Sequence, residues 1–225
     1  MMERSTLSRV SITNSCWFNS NFVFPSVVIS CTPGFRNQYT FHTGASQVCS
    51  IPEQVPTVNG APAFTGTVMN TNCSCTPSSN TGCAVLDTYS SSYGQGFDEA
   101  GGGVFALLWN NDGFKIWHFE RQSIPGDIGS GDPDPDSWPT PNALLSADNC
   151  AVDSFFSPQR LIFDITLCGG WANSDYPNSG CPGNCAQQVT TGSNYISVYL
   201  VNFLPVMLYR YESRCHMDYQ FRNCV

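Results

Sequence analysis

Gly103-Val-Phe-Ala-Leu-Leu-Trp109 and Phe114-Lys-Ile-Trp-His-Phe119 flank the short link Asn110-Asn-Asp-Gly113. Two apolar runs joined by an Asx-Gly turn predict a β-hairpin, because glycine supplies the positive φ of a tight connection. The same grammar recurs along the chain. Asn37–His42 alternates and stops at Thr43-Gly44, and Ala63–Met69 alternates into Asn70-Thr71-Asn72. Arg160–Leu167 alternates with Leu161, Phe163, Ile165 and Leu167 on one side. No long 3.6-residue period and no internal repeat compete with these runs. Cys168–Asn194 is rich in Gly, Asn and Cys, and Asp132-Pro-Asp-Pro-Asp-Ser-Trp-Pro excludes both helix and central strand. Short strands with long punctuated loops predict an all-β sandwich of jelly-roll type.

Composition narrows the function classes. At 225 residues the chain is long enough for one large all-β domain. Nine basic residues against seventeen acidic give a net charge of −8, and lysine occurs once, at Lys115. That leaves no basic face for nucleic acid. Ile196–Tyr209 is apolar, but Asn202 and Pro205 interrupt it, and it falls short of the ~20 residues a spanning helix needs. No membrane partner is expected. Phe22–Ser30 contains Pro25, lies late and lacks a small-x-small cleavage site, so no clear signal peptide is read here.

Twelve cysteines favour an oxidising compartment. Cys49, Cys73, Cys75, Cys83, Cys150, Cys168, Cys181 and Cys185 form an even set in the middle of the chain. Cys73-Ser-Cys75 and Cys181-x-x-x-Cys185 lack the matched second pair of a zinc site, so a disulfide framework of open connectivity is expected, with no metal or cofactor. Charge also divides the chain. Residues 37–195 hold three basic side chains against fourteen acidic ones, a net of −11, whereas 1–36 and 196–225 together reach +3. No Asp or Glu lies between Arg4 and Pro52.

Several segments, in one order, resemble the fungal endo-β-1,3(4)-glucanase (laminarinase-like) branch of glycoside hydrolase family 16. Gly113–Ile128 resembles that branch's D-G-I-K-V-W-F-F-P-R-S-S-I-P-x-D-I run. Gly131–Trp138 resembles G-N-P-D-P-S-S-W, and Arg160–Ala172 resembles I-V-F-D-T-T-F-C-G-D-W-A. Gly180–Cys185 resembles G-C-P-G-S-C, and Asn37–Gly44 resembles N-Q-x-T-L-H-T-G. Ser92–Phe97 followed by Gly101–Trp109 resembles S-Y-G-x-G-F-N…G-G-G-V-Y-A-M-E-W. The resemblance covers residues 37–195. It implies a concanavalin-like jelly roll with a sugar cleft, a secreted monomer, and a β-glucan polysaccharide or oligosaccharide as partner.

It also implies a catalytic strand, E-x-D-x-x-E, directly before the N-Q-x-T-x-H-T-G segment. A retaining glycosidase needs two carboxyl groups about 5–5.5 Å apart. Residues 18–36 contain neither Asp nor Glu. Glu3, Glu53, Glu99, Glu120 and Glu212 lack companions at the right spacing, and Pro133 and Pro135 keep Asp132, Asp134 and Asp136 off a paired strand. No catalytic residue is therefore expected in this chain. The family's closing strand, W-x-I-N-S-V-K-V-Y, is also missing after Asn194. Residues 1–36 and 196–225 are expected to be foreign to a jelly roll left incomplete at both ends.

Three residues remain as candidate sugar contacts: Trp171, His42 and Trp109. Trp171 matches the aromatic of the family's C-G-D-W loop, though Gly170 stands where the family has Asp; the alternative is packing under the Cys-rich loop. His42 matches the His of H-T-G, beside the family's carboxylates, or is a hydrogen-bonded strand histidine. Trp109 and Trp117 alternate on the hairpin, where one of them reaches the cleft or both belong to the core. His118 and His216 carry no motif.

Overall fold

The computed structural model describes residues 8–13, 26–32, 36–76, 79–156, 160–165, 168, 173, 176–178, 183–190 and 208–210. Two β-sheets dominate. The first has six strands: β1 (Ser8–Thr13), β2 (Ser26–Thr32), β3 (Arg36–His42), β6 (Thr67–Asn70), β7 (Cys83–Leu86) and β11 (Arg160–Ile165). Their order across the sheet is β11-β1-β2-β3-β7-β6, with every neighbouring pair antiparallel. The second sheet runs β10 (Ala143–Ser146), β9 (Gly113–Glu120), β8 (Gly103–Asn110), β12 (Leu208–Arg210). Only β12 joins in parallel, beside β8. A two-residue ribbon, β4 (Thr57–Val58) with β5 (Ala61–Pro62), stands apart.

The predicted hairpin is β8–β9, with Asn110 opposite Gly113 and a two-residue turn between them. Asn110 Oδ1 accepts from the Asp112 amide at 3.0 Å, which closes the turn. Gly113 has φ 126°, and a Cβ there would lie 2.0 Å from the Leu145 carbonyl oxygen. Glycine is needed twice over, for backbone sign and for the approach of β10.

The interior follows from strand alternation. Tyr39 and Phe41 on β3 and Val85 on β7 meet Leu107, Trp109, Phe114, Ile116, Ala143 and Leu145 from the second sheet. Phe114 stacks on Phe41 at 6.0 Å and meets Phe156 edge-on at 4.8 Å. Two disulfides, Cys49–Cys150 and Cys73–Cys83, lie within this core, and Cys168–Cys185 ties two later segments. The opposite side of the hairpin is also covered. Ala106, Leu108, Trp117 and Phe119 pack against Ile124, Ile128 and Trp138. The Pro-rich loop is held there because Asp127 Oδ2 accepts from both the Asp134 amide and Trp138 Nε1, each at 2.7 Å.

The expected strand over Ala63–Met69 is shorter than its alternation suggests. The amides of Thr65 and Gly66 bond to the carbonyls of Pro141 and Asn142, and pairing with β7 begins only at Thr67. The backbone at Gly66 lies so close to β7 that a Cβ would sit 2.3 Å from Val85 Cγ1. Local alternation registers neither contact. Arg160–Ile165 is a strand as expected, while the sidedness of Leu161, Phe163, Ile165 and Leu167 lies outside the described residues.

Candidate functional site

β3 presents two faces. Tyr39 and Phe41 enter the sandwich, so Gln38, Thr40 and His42 belong to the opposite face. His42 is 6% exposed, with Nε2 3.1 Å from Thr40 Oγ1 and Nδ1 3.1 Å from Cys75 Sγ. Its ring is packed against Gly82, where a Cβ would come within 2.8 Å of Nδ1. The hydrogen-bonded strand histidine among the two sequence readings describes this geometry.

β2 lies beside this face. Its register sets Ser26 opposite His42, Val28 opposite Thr40 and Ser30 opposite Gln38. Those positions carry no acid. Neither does any residue of β1, β3, β6 or β7. Among the described strands of this sheet, the one acidic position is Asp164 on β11, opposite Arg9 of β1 in the backbone register. β11 stands three strand spacings from β3, about 14 Å at the usual interstrand distance. The described strands of this sheet therefore offer no pair of carboxyl groups next to His42.

Trp109 occupies a different place from a sugar contact. It is 9% exposed, belongs to the sandwich interior and tilts against Phe114 at 5.1 Å. A stacking platform needs an open ring face, and this one is closed by the core. Trp117 is also buried, on the outer side of the hairpin, edge-on to Trp138 at 5.1 Å. Trp171 lies outside the described residues.

The structure also assembles a polar centre that sequence motifs did not single out. Asp87 is fully buried just past β7. Tyr39 Oη donates to Asp87 Oδ2, Asn142 Nδ2 reaches both carboxyl oxygens at 3.3–3.4 Å, and the Tyr89 amide donates to Oδ1 at 2.8 Å. Asn142 Oδ1 in turn accepts from the His118 amide at 2.7 Å. His118 Nδ1 stands 3.8 Å from Asp87 Oδ2, and its ring stacks on Phe105 at 4.9 Å with Tyr89 and Phe97 close by. Burial holds the His118 pKa below the usual imidazole value, against the charges of Asp87 and Glu120. Burial, then the neighbouring Asp87 charge, raises that of Tyr39. The one available sequence signal was parity: Cys83, Val85 and Asp87 alternate, which places Asp87 on the buried side. This centre lies between the sheets, away from His42.

Comparison with known proteins agrees with the sandwich. The model of the XgeA-like catalytic domain of glycoside hydrolase family 16 matches residues 30–206, wider at both ends than the resemblance read from motifs. A probable glycosidase of Schizosaccharomyces pombe is 38% identical over 188 residues, covering 82% of this chain and 43% of its own. An endo-1,3(4)-beta-glucanase of Arthroderma benhamiae is 37% identical over 165 residues, covering 72% of this chain and 34% of its own. The chain thus spans less than half the length of these relatives. Laminarinase 16A of Phanerochaete chrysosporium, solved with β-glucans in donor and acceptor sites, superposes with a TM-score of 0.66 at 29% identity, over 86% of this chain and 64% of that one. By fold and by sequence, this chain belongs to glycoside hydrolase family 16, in the XgeA-like branch, and its sandwich is the family's jelly roll.

Proposed function

We propose that this protein is a β-1,3(4)-glucan-directed family 16 domain in which hydrolysis is lost. The relatives' glucanase names and the glucans bound to laminarinase 16A support the substrate class. The observation that carries the loss is the register of β2: opposite His42, Thr40 and Gln38 stand Ser26, Val28 and Ser30. Without a nucleophile there is no route through a glycosyl intermediate, and without an acid the departing oxygen stays unprotonated. General acid/base assistance alone is worth about 10²–10⁴-fold. Contact with bound sugar does not replace it, because ground-state binding does not stabilise the oxocarbenium-like transition state.

The second reading, a non-catalytic β-glucan-binding module, differs in assigning a selected role to the binding. In both, Trp171 is the aromatic contact and His42 shapes the cleft floor. The disulfide framework supports an extracellular location. Residues 1–36 and 196–225 are proposed as sequence not selected with the domain, on their charge contrast with the middle; the family match reaches into them at 30–36 and 196–206, and sequencing the transcript decides between the two.

The deciding experiment measures reducing-sugar release from laminarin and mixed-linkage β-glucan by the purified chain. No release is expected from acid to neutral pH. Supplying a strand bearing Glu-x-Asp-x-x-Glu, with its neighbouring strands, is expected to restore part of the activity. Hydrolysis by the unmodified chain, persisting after contaminating glucanases are removed, overturns the proposal. Retardation on a laminarin affinity gel, reduced by Trp171→Ala, supports retained binding.

A further inference from the structure

Asn72-Cys73-Ser74 is the one Asn-x-Ser/Thr triplet without a central proline in the 225 residues. Such a triplet is the acceptor for N-linked glycans in chains that pass through the secretory route. We propose that Asn72 is an N-glycosylation site, and that its glycan shields the outer edge of the six-stranded sheet. The proposal rests on the extracellular location inferred above.

The folded geometry leaves room for the sugar. Asn72 is exposed, two residues beyond the end of β6. Its Oδ1 accepts from the Ser74 amide at 3.0 Å, while Nδ2 donates to none of the described residues. The rest of the triplet is locked. Cys73 is fully buried and bonded to Cys83, its amide donates to the Cys49 carbonyl at 3.1 Å, and Ser74 Oγ donates to the Gln47 carbonyl at 2.9 Å. A transferase needs the serine hydroxyl and the surrounding backbone. Transfer must therefore precede folding, in competition with closure of the Cys73–Cys83 bond.

The step requires a lipid-pyrophosphate-linked oligosaccharide as donor. The Asn72 carboxamide nitrogen forms a bond to the sugar's anomeric carbon as the bond from that carbon to the pyrophosphate oxygen breaks. The lipid pyrophosphate leaves with the electron pair, the amide proton goes to solvent, and nothing is oxidised or reduced.

The edge explains what the glycan would do. β6 is the last strand of its sheet, and its Thr-Val-Met-Asn sequence holds no charge to discourage pairing with another chain. Met69 is 57% exposed and three residues from Asn72. A hydrated, branched sugar at that position blocks the approach of a second strand.

The test translates the full chain, behind a cleavable secretory leader, in the presence of endoplasmic-reticulum microsomes. Protease-protected chains are expected to show a single mobility shift, removed by an N-glycan-specific glycosidase and absent in Asn72→Gln. Cys73→Ser keeps an acceptor triplet and removes the competing disulfide, so the glycosylated fraction should rise severalfold. Protected chains without a shift, or a shift that persists in Asn72→Gln, overturn the site. For the shielding role, light scattering compares secreted chain before and after enzymatic deglycosylation. Faster association after sugar removal supports it, and equal rates overturn it. None of these readouts depends on laminarin binding or hydrolysis, so failure here is separable from failure of the glucan reading.

Discussion

Asp87 accepts from Tyr39, Asn142 and the Tyr89 amide inside the sandwich, so removing its carboxylate strands several buried donors at once. Asp87→Ala should cost about 3 kcal/mol, the range for buried groups that lose charged partners, read as a lowered urea midpoint at constant slope. The two titrating neighbours act in opposite pH ranges. His118 is held neutral by burial, so its folded pKa lies below the unfolded value of about 6.5. The unfolded chain then binds more protons, and stability falls as pH drops below that value. His118→Phe should flatten this acid slope in urea melts recorded from neutral to acidic pH. Tyr39 titrates above its ordinary value, so the unfolded chain gives up this proton first as pH rises past about 10. Alkaline solution should lower the thermal midpoint, less so in Tyr39→Phe.

At the scale of the element, the β8–β9 turn and the β4–β5 turn separate two reasons for glycine. Gly60 has φ 82°, a Cβ there would meet nothing within 4 Å, and its neighbour Asn59 has φ 51°. Gly60→Ala should therefore cost only the left-handed strain, about 1–2 kcal/mol. Gly113→Ala adds a collision with the Leu145 carbonyl, which is backbone and cannot swing aside. It should cost clearly more, roughly 3 kcal/mol or above. Paired chemical-denaturation curves measure the difference, and equal losses would contradict the close-approach argument. Asn59-Gly60, which the strand pattern did not single out, is an Asn-Gly pair of the kind that favours such a turn. The shortened β6 was not legible in this way, because the partners of Thr65 and Gly66 lie about 76 residues away at Pro141 and Asn142.

Over the whole molecule, the Cys49–Cys150 disulfide closes a loop of 101 residues, linking the segment after β3 to the segment after β10. A crosslink of that span should contribute about 2–5 kcal/mol, mainly by restricting the unfolded chain. The Cys49→Ala/Cys150→Ala double variant should melt about 5–15 °C lower by calorimetry, given some 2–4 °C per kcal/mol at this size. Cys73–Cys83 spans only 10 residues and should matter less on the same model.

The strand grammar of 37–167, the hairpin and the all-β class were written in local alternation and turn residues, because a strand's side-chain period and a turn's φ are short-range properties. The absence of Asp and Glu from residues 18–36 was also plain in the sequence, since no fold creates an acid that a segment does not encode. Other features were decided only in three dimensions. β2 lies beside β3 in a register that sets Ser26 opposite His42, and Trp109 lies in the sandwich interior. Asp87, Asn142 and His118 meet from separate parts of the chain, Asp87 and Asn142 being 55 positions apart. Alternation says that a residue faces one side of a strand. Which side becomes core, and which distant partner arrives there, is fixed by how two sheets stack to bury their apolar faces together.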